Sequence, residues 1–273
     1  MQIDEAQRTL APGALLRLEN AALSVEIAPE AGGRLAQVHH RGTPWLVGHD
    51  ADNAAAIAWG CYPMLPWAGR IRHGAFQFDG RAYRLPATLE GHAIHGVGFM
   101  RPWRIDAHDA TRCRLSLTLP EDQYWPFGGT AAQDIELQGD TLLLTLSLQA
   151  AQRPMPMPVL GWHPWLLKPQ RLGFTPEAMY PRDQEGIATL PLVAPAPPPW
   201  DDCFVNTAPV HVHAASGELA LDSDCRHWVV YDQPTHATCV EPQSGPPDAF
   251  NLQPDARLPP GQSVRSWFRW QWR

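Results

Sequence analysis

Period-two alternation of apolar and polar residues runs through nearly the whole chain, and it limits the fold more than any other feature. ALSVEIAP (22–29) alternates, and so does RCRLSLTLP (112–120). AFQFDGRAYRL (75–85) reads as two short strands around Asp79-Gly80. IELQGDTLLLTLSL (135–148) reads as a second hairpin, turning at Gly139-Asp140. Such dipeptides supply the positive φ that tight hairpins need. LDSDCRHWVVYD (221–232), ATCVEP (237–242) and SVRSWFRWQW (263–272) extend the set. No segment joins a cap to a 3.6-residue period, so no amphipathic helix is expected. The 29 prolines and 21 glycines fall mostly between the alternating runs, as turn punctuation. Many short strands at close spacing predict an all-β protein, a sandwich or a barrel.

No linker divides the strands. LPLVAPAPPPW (190–200) is the most proline-dense piece, but it runs straight into DDCF (201–204), so it is expected to be a long loop within one domain spanning 1–273. A chain of 273 residues can bury a large core. Net charge is −7, from 28 acids against 21 bases, which argues against a basic face for nucleic acid. Only Lys168 is lysine, so Schiff-base chemistry has a single candidate. Five cysteines stand widely apart at 61, 113, 203, 225 and 239 with no CxxC, a pattern of reduced thiols in a cytoplasm. The N-terminal sequence lacks the basic and apolar blocks of a signal peptide, and no apolar run approaches the ~18 residues of a membrane helix.

Four polar segments stand out from this background: GRIRHGAF (69–76), GHAIHGVGF (91–99), LGWHPWLL (160–167) and CVEPQSGPPDAFN (239–251). The last places Glu241 at the end of a β-prone run, before a proline-rich loop that is expected to hold its carboxylate at the rim of a groove. His92, His95, His163 and Glu241 could form a metal set. However, residues three apart on a strand face opposite ways, which disfavours the His92–His95 pair. No Gly-x-Ser-x-Gly elbow is present, and no glycine-rich dinucleotide fingerprint follows a strand. A glutamate base and a histidine acid suit proton transfer near neutral pH. Trp67, Trp162, Trp165 and Phe250 offer flat apolar faces for a sugar ring, and Arg70, His95 and Asp201 can bond its hydroxyls. Taken singly, residues of these kinds more often have a packing or solvated role.

Taken in order, LPWAGRIRHGAF, HAIHG, GWHPWL, DDCF and VEPQSGPPDAFN resemble the aldose 1-epimerase (galactose mutarotase) family, over roughly residues 20–270. The resemblance implies a large antiparallel β-sandwich, the galactose mutarotase-like supersandwich, with the sugar in a groove on one concave face. It implies Glu241 as general base, His163 as general acid and His95 as the assisting histidine. Arg70 and Asp201 are then sugar ligands, with the tryptophans and Phe250 walling the ring. The implied reaction interconverts the α and β anomers of a free monosaccharide by ring opening, with base and acid on opposite sides of the ring. No metal or other cofactor, nucleic acid or membrane is implied, and the protein is expected to be a monomer or weak homodimer. The sequence departs from the family at Gly69, where asparagine is usual, and at Trp67 and Trp165, where smaller aromatics are common. Three alternatives stay open. One is action on hexose 6-phosphates through Arg72 and Arg101, another is non-catalytic sugar binding, and the third is glycoside hydrolysis with Asp201 as a second carboxylate.

Overall fold

The computed structural model describes residues 3–273. Two large antiparallel sheets pack face to face around one aromatic-rich core. Along the larger sheet the central strands are, in spatial order, Arg34–His40, Cys61–Met64, Gly161–Leu167, Ala237–Gln243, His227–Tyr231 and Asp201–Val205, with Ala178–Tyr180 at the edge. The second sheet centres on Arg112–Thr118, Thr130–Gln138, Thr141–Gln149, Ser263–Trp272 and Gly217–Ser223. Both expected hairpins form, with Phe78 paired to Arg81 and Gln138 to Thr141. Segment 190–200 runs as a loop whose Val193 bonds back to Met179.

The second sheet shows the alternation plainly. Thr130–Gln138 buries every second residue against the core and exposes or half-exposes the rest. The middle of the larger sheet differs, for Ala237–Gln243 is buried along its whole length, and so is Gly161–Leu167 up to its last residue. One face of these strands packs on the second sheet. There Trp162 and Trp228 meet Phe268, and the Trp162 indole N–H donates to Gln133 on the opposing sheet at 3.3 Å. The other face carries His163, Trp165, Cys239, Glu241 and Gln243. Parts of segments 65–100, 181–189 and 244–251 wall this face and bound a cavity over it.

Two expectations change here. The strand that carries Glu241 continues through Pro242 to Gln243, so Glu241 sits inside the sheet and not at the lip of a strand. The loop after it contains one short α-helical turn, Ala249–Leu252. The rigidity of that loop serves a different neighbour. The Asp248 N–H donates to Arg70 O at 2.8 Å, and its carboxylate accepts from the Arg72 N–H at 3.1 Å and from Asn251 at 2.7 Å. The proline-rich segment therefore fixes the Arg70–Arg72 backbone.

Candidate active site

Strand register builds the site. Tyr62 pairs with His163 on the next strand, and Val229 pairs both with Glu241 and with Cys203. One row across the concave face thus reads Tyr62, His163, Glu241, Val229, Cys203. A neighbouring row reads Trp165, Cys239, Tyr231, Asp201, again by direct pairing. Because side chains on a strand alternate, these two rows share one face. A cavity of about 400 Å³ lies over them, lined among others by Arg70, His95, His163, Trp165, Asp201 and Glu241. That volume falls within the range of small-molecule sites.

At its floor the His163 Nε2 lies 3.2 Å from Glu241 Oε1, both side chains being almost fully buried. Gln243, two residues on and so on the same face, reaches the other carboxylate oxygen at 3.3 Å. Burial pushes the Glu241 carboxyl well above its usual range, with Asp201 adding to the shift. Burial pulls the His163 imidazole down to about 3. Both groups are therefore driven to their neutral forms, side by side within reach of the same substrate atoms. The imidazole ring is clamped between Tyr62, 4.7 Å away, and Trp165, 5.4 Å away, both nearly parallel to it. Behind Tyr62 the fully buried Arg34 donates to the carbonyls of Ala31, Ala56, Trp59 and Phe99, with its charge 5.0 Å from the Tyr62 ring centroid. Burial without a carboxylate partner pulls this arginine down to about 9.

His95 stands edge-on to His163 at 5.1 Å. Its backbone is left-handed (φ 55°), and its Nδ1 accepts the Gly69 N–H at 3.2 Å. The ring proton must then sit on Nε2, and burial, with help from His163, drives the imidazole well below its usual range. His95 is thus a neutral donor. Gly69, the departure from the family pattern, has φ 68°, and a Cβ there would lie 2.6 Å from Pro247. Only glycine fits that backbone without strain. Arg70 bonds Glu90 at 2.9 Å and leaves its buried Nε without a partner.

The structure brings together Glu241, His163, His95, Arg70, Asp201 and Trp165. It does not bring Trp67, Trp162 or Phe250 to the cavity, and their expected role as sugar walls is corrected. Trp162 faces the core by strand parity, while Trp67 and Phe250 both pack against Trp125. His92 also lies outside the cavity lining, accepting the His73 N–H on its Nδ1. The residues that the sequence did not point to are Tyr62, Gln243 and Arg182. Parity could have found Gln243, two residues beyond Glu241, but no motif marks the other two. Arg72 and Arg101 are engaged with Asp183, Glu185 and Asp122 and do not line the cavity.

Donor atoms of His163, Cys239 and Glu241 lie within 4.8 Å of one another. Burial and the Glu241 carboxylate together push the Cys239 thiol well up, against the thiolate that a metal would need. We assign no metal to this trio. The five cysteines among the described residues are all free and buried. No helix among the described residues is long and apolar enough to cross a membrane.

An antiparallel β-sandwich with a buried carboxylate and imidazole side by side in a small cavity over one sheet defines the class of fold and site. The chain belongs to the aldose 1-epimerase family, whose model matches residues 14–271. It is 28% identical over 159 residues to the uncharacterized protein YphB of Escherichia coli (strain K12), covering 56% of this chain and 52% of that one. The aligned stretch thus spans about half the length of that relative. A galactose mutarotase-like protein from Clostridium acetobutylicum superposes with a TM-score of 0.84 at 14% identity, covering 99% of both chains. Galactose 1-epimerase from Lactobacillus acidophilus NCFM gives 0.78 at 15% identity, covering 98% of this chain and 97% of that one. At these identities the superpositions speak for the fold.

Proposed function

We propose that the protein is an aldose 1-epimerase that interconverts the anomers of a free aldose. The observation that carries this reading is the 3.2 Å contact between His163 and Glu241 on the floor of a sugar-sized cavity. The two groups stand side by side on neighbouring strands, not on opposite sides of a ring. That suits the chemistry, because O1 and O5 are both bonded to C1 and one adjacent pair can reach both.

In the reactive form Glu241 is a carboxylate and His163 carries the proton. Glu241 takes the O1 proton while His163 gives its own to O5. The C1–O5 bond breaks, the carbonyl forms at C1, and the pair is left as neutral acid and neutral imidazole. This is the form that burial favours, so the surroundings assist opening. After rotation about C1–C2, Glu241 returns its proton to O1, the O5 hydroxyl attacks C1, and His163 recovers the O5 proton. Ring closure therefore restores the carboxylate and the imidazolium, and the pair ends the cycle in the form in which it began. The Nε2–H of His95 and the guanidinium of Arg70 supply donors for the developing charge on oxygen.

An unphosphorylated sugar is favoured because the arginines that line the cavity, Arg70 and Arg182, are paired with Glu90 and with Asp201 and Asp202, while Arg72 and Arg101 are committed to carboxylates outside it. Polarimetry of freshly dissolved α-anomers tests the reading. Glu241→Gln should lower kcat by about 10²–10⁴ while sugar binding is kept. Mutarotation by the variant at the intact protein's rate would remove it.

A further inference from the structure

The segment after the edge strand Ala178–Tyr180 folds into a tight excursion, residues 181–189. Thr189 N–H donates to Pro181 O at 2.8 Å and Asp183 N–H to Ile187 O at 3.0 Å. The Asp183 carboxylate caps its tip by accepting the Glu185 N–H at 2.9 Å and the Ile187 N–H at 3.1 Å. Its inner side, Arg182, Gly186, Ile187 and Ala188, lines the cavity.

Both sides of this excursion are tied down by charge. On one side Arg182 forks onto the sheet, with Nη1 2.6 Å from Asp201 Oδ2 and Nε 3.1 Å from Asp202 Oδ1. On the other side Asp183 and Glu185 both pair with Arg72, and His73 Nε2 lies 3.4 Å from Glu185. Arg72 follows Arg70, on a wall of the cavity that comes from a different part of the chain. The excursion therefore bridges from the Asp201 strand to the Arg70–His73 segment.

Its position along the sheet determines what it would meet. The strands that carry Glu241 and Asp201 are two steps apart, which is about 10 Å at the usual strand spacing. An aldose whose O1 lies at Glu241, and whose ring runs across the sheet toward Asp201, would bring its C4 end to Arg182. A group attached to O4 would have to pass where the excursion sits.

We propose that residues 181–189 form a latched roof, with Arg182 as its inner contact, that restricts the substrate to monosaccharides without a 4-O-glycosyl substituent. This deepens the epimerase reading and rests on it for the placement of O1. Glucose against maltose, and galactose against 4-galactobiose, isolate the substituent, since each pair shares its reducing sugar. For the intact protein, kcat/KM should favour the monosaccharide by about tenfold or more. The double variant Asp183→Ala/Glu185→Ala frees the latch and leaves Glu241, His163, His95 and Arg70 unsubstituted. It should narrow that ratio several-fold while turnover of the monosaccharide and the circular dichroism spectrum stay close to those of the intact protein.

Equal turnover of mono- and disaccharide by the intact protein overturns the roof, and so does an unchanged ratio in the variant. If neither monosaccharide is turned over, the epimerase reading fails by itself, and sugar binding followed by tryptophan fluorescence then decides the roof. Disaccharide binding gained in the variant sustains it. Equal binding of the disaccharide by both proteins, or binding of no sugar by either, overturns it.

Discussion

His95 shows how one side chain acquires a role from its backbone. Its left-handed φ turns the ring so that Nδ1 meets the Gly69 N–H, which leaves Nε2 to carry the proton. Burial keeps the ring neutral near neutral pH, so it donates from Nε2 there. Asparagine tolerates the left-handed region better than most residues, so His95→Asn preserves the turn and removes the donor at its present reach. The variant should lose about 10²–10³ in kcat, the cost typical of one missing donor to a developing oxyanion. Its melting temperature should stay close to that of the intact protein. Initial rates by polarimetry beside a thermal melt separate the two effects, and a variant that keeps its rate would show that His95 is a packing residue.

The element that presents His95 is held by close backbone approach. Gly96 has φ 76°, and a Cβ there would lie 1.8 Å from the Leu65 carbonyl oxygen. Gly91, in the same segment, has φ 80° but nothing within 4 Å. Gly96→Ala should therefore cost about 3 kcal/mol or more, from strain and overpacking together. Gly91→Ala should cost about 1 kcal/mol, from backbone conformation alone. Urea unfolding of the two variants tests the difference, and equal costs would mean that the Leu65 contact relaxes freely. This loop also marks a limit of reading from sequence. GHAIHG was conspicuous as a motif, and the two hairpins were legible because their turn residues and alternation are local. Trp67, Trp162 and Phe250 were placed wrongly because composition says nothing of which way a side chain faces. ATCVEP reads as a strand in the sequence, but strands 161–167 and 237–243 are buried on both faces, so the pattern does not tell which face forms the wall of the site. The excursion at 181–189 left no signal, because its role comes from ion pairs to Arg72 and Asp201, distant in sequence.

Across the whole molecule the concave face gathers several histidines out of water, and stability should register this as the solution is acidified. His227 lies one strand beyond Glu241, paired with Gln243 in register, and its ring packs near Tyr180. Burial, with Arg226 adding, pulls it down to about 4. Its folded-state value thus lies below the unfolded value of about 6.5, and below that pH the unfolded chain binds more protons than the folded one. The contribution of His227 is complete above about pH 6.5, falls as the pH drops toward about 4, and is constant below that. Its full size is at most about 3 kcal/mol, from the shift between those two values. His95 and His163 act in the same sense. Glu241, raised by burial, acts in the opposite one and offsets part of the loss. His227→Gln removes one of these groups and leaves the others in place. Unfolding free energies from urea titrations at neutral pH and near pH 4.5 should fall less for the variant than for the intact protein. The same drop in both would mean that water reaches the His227 ring in the folded state, and that this end of the concave face is open.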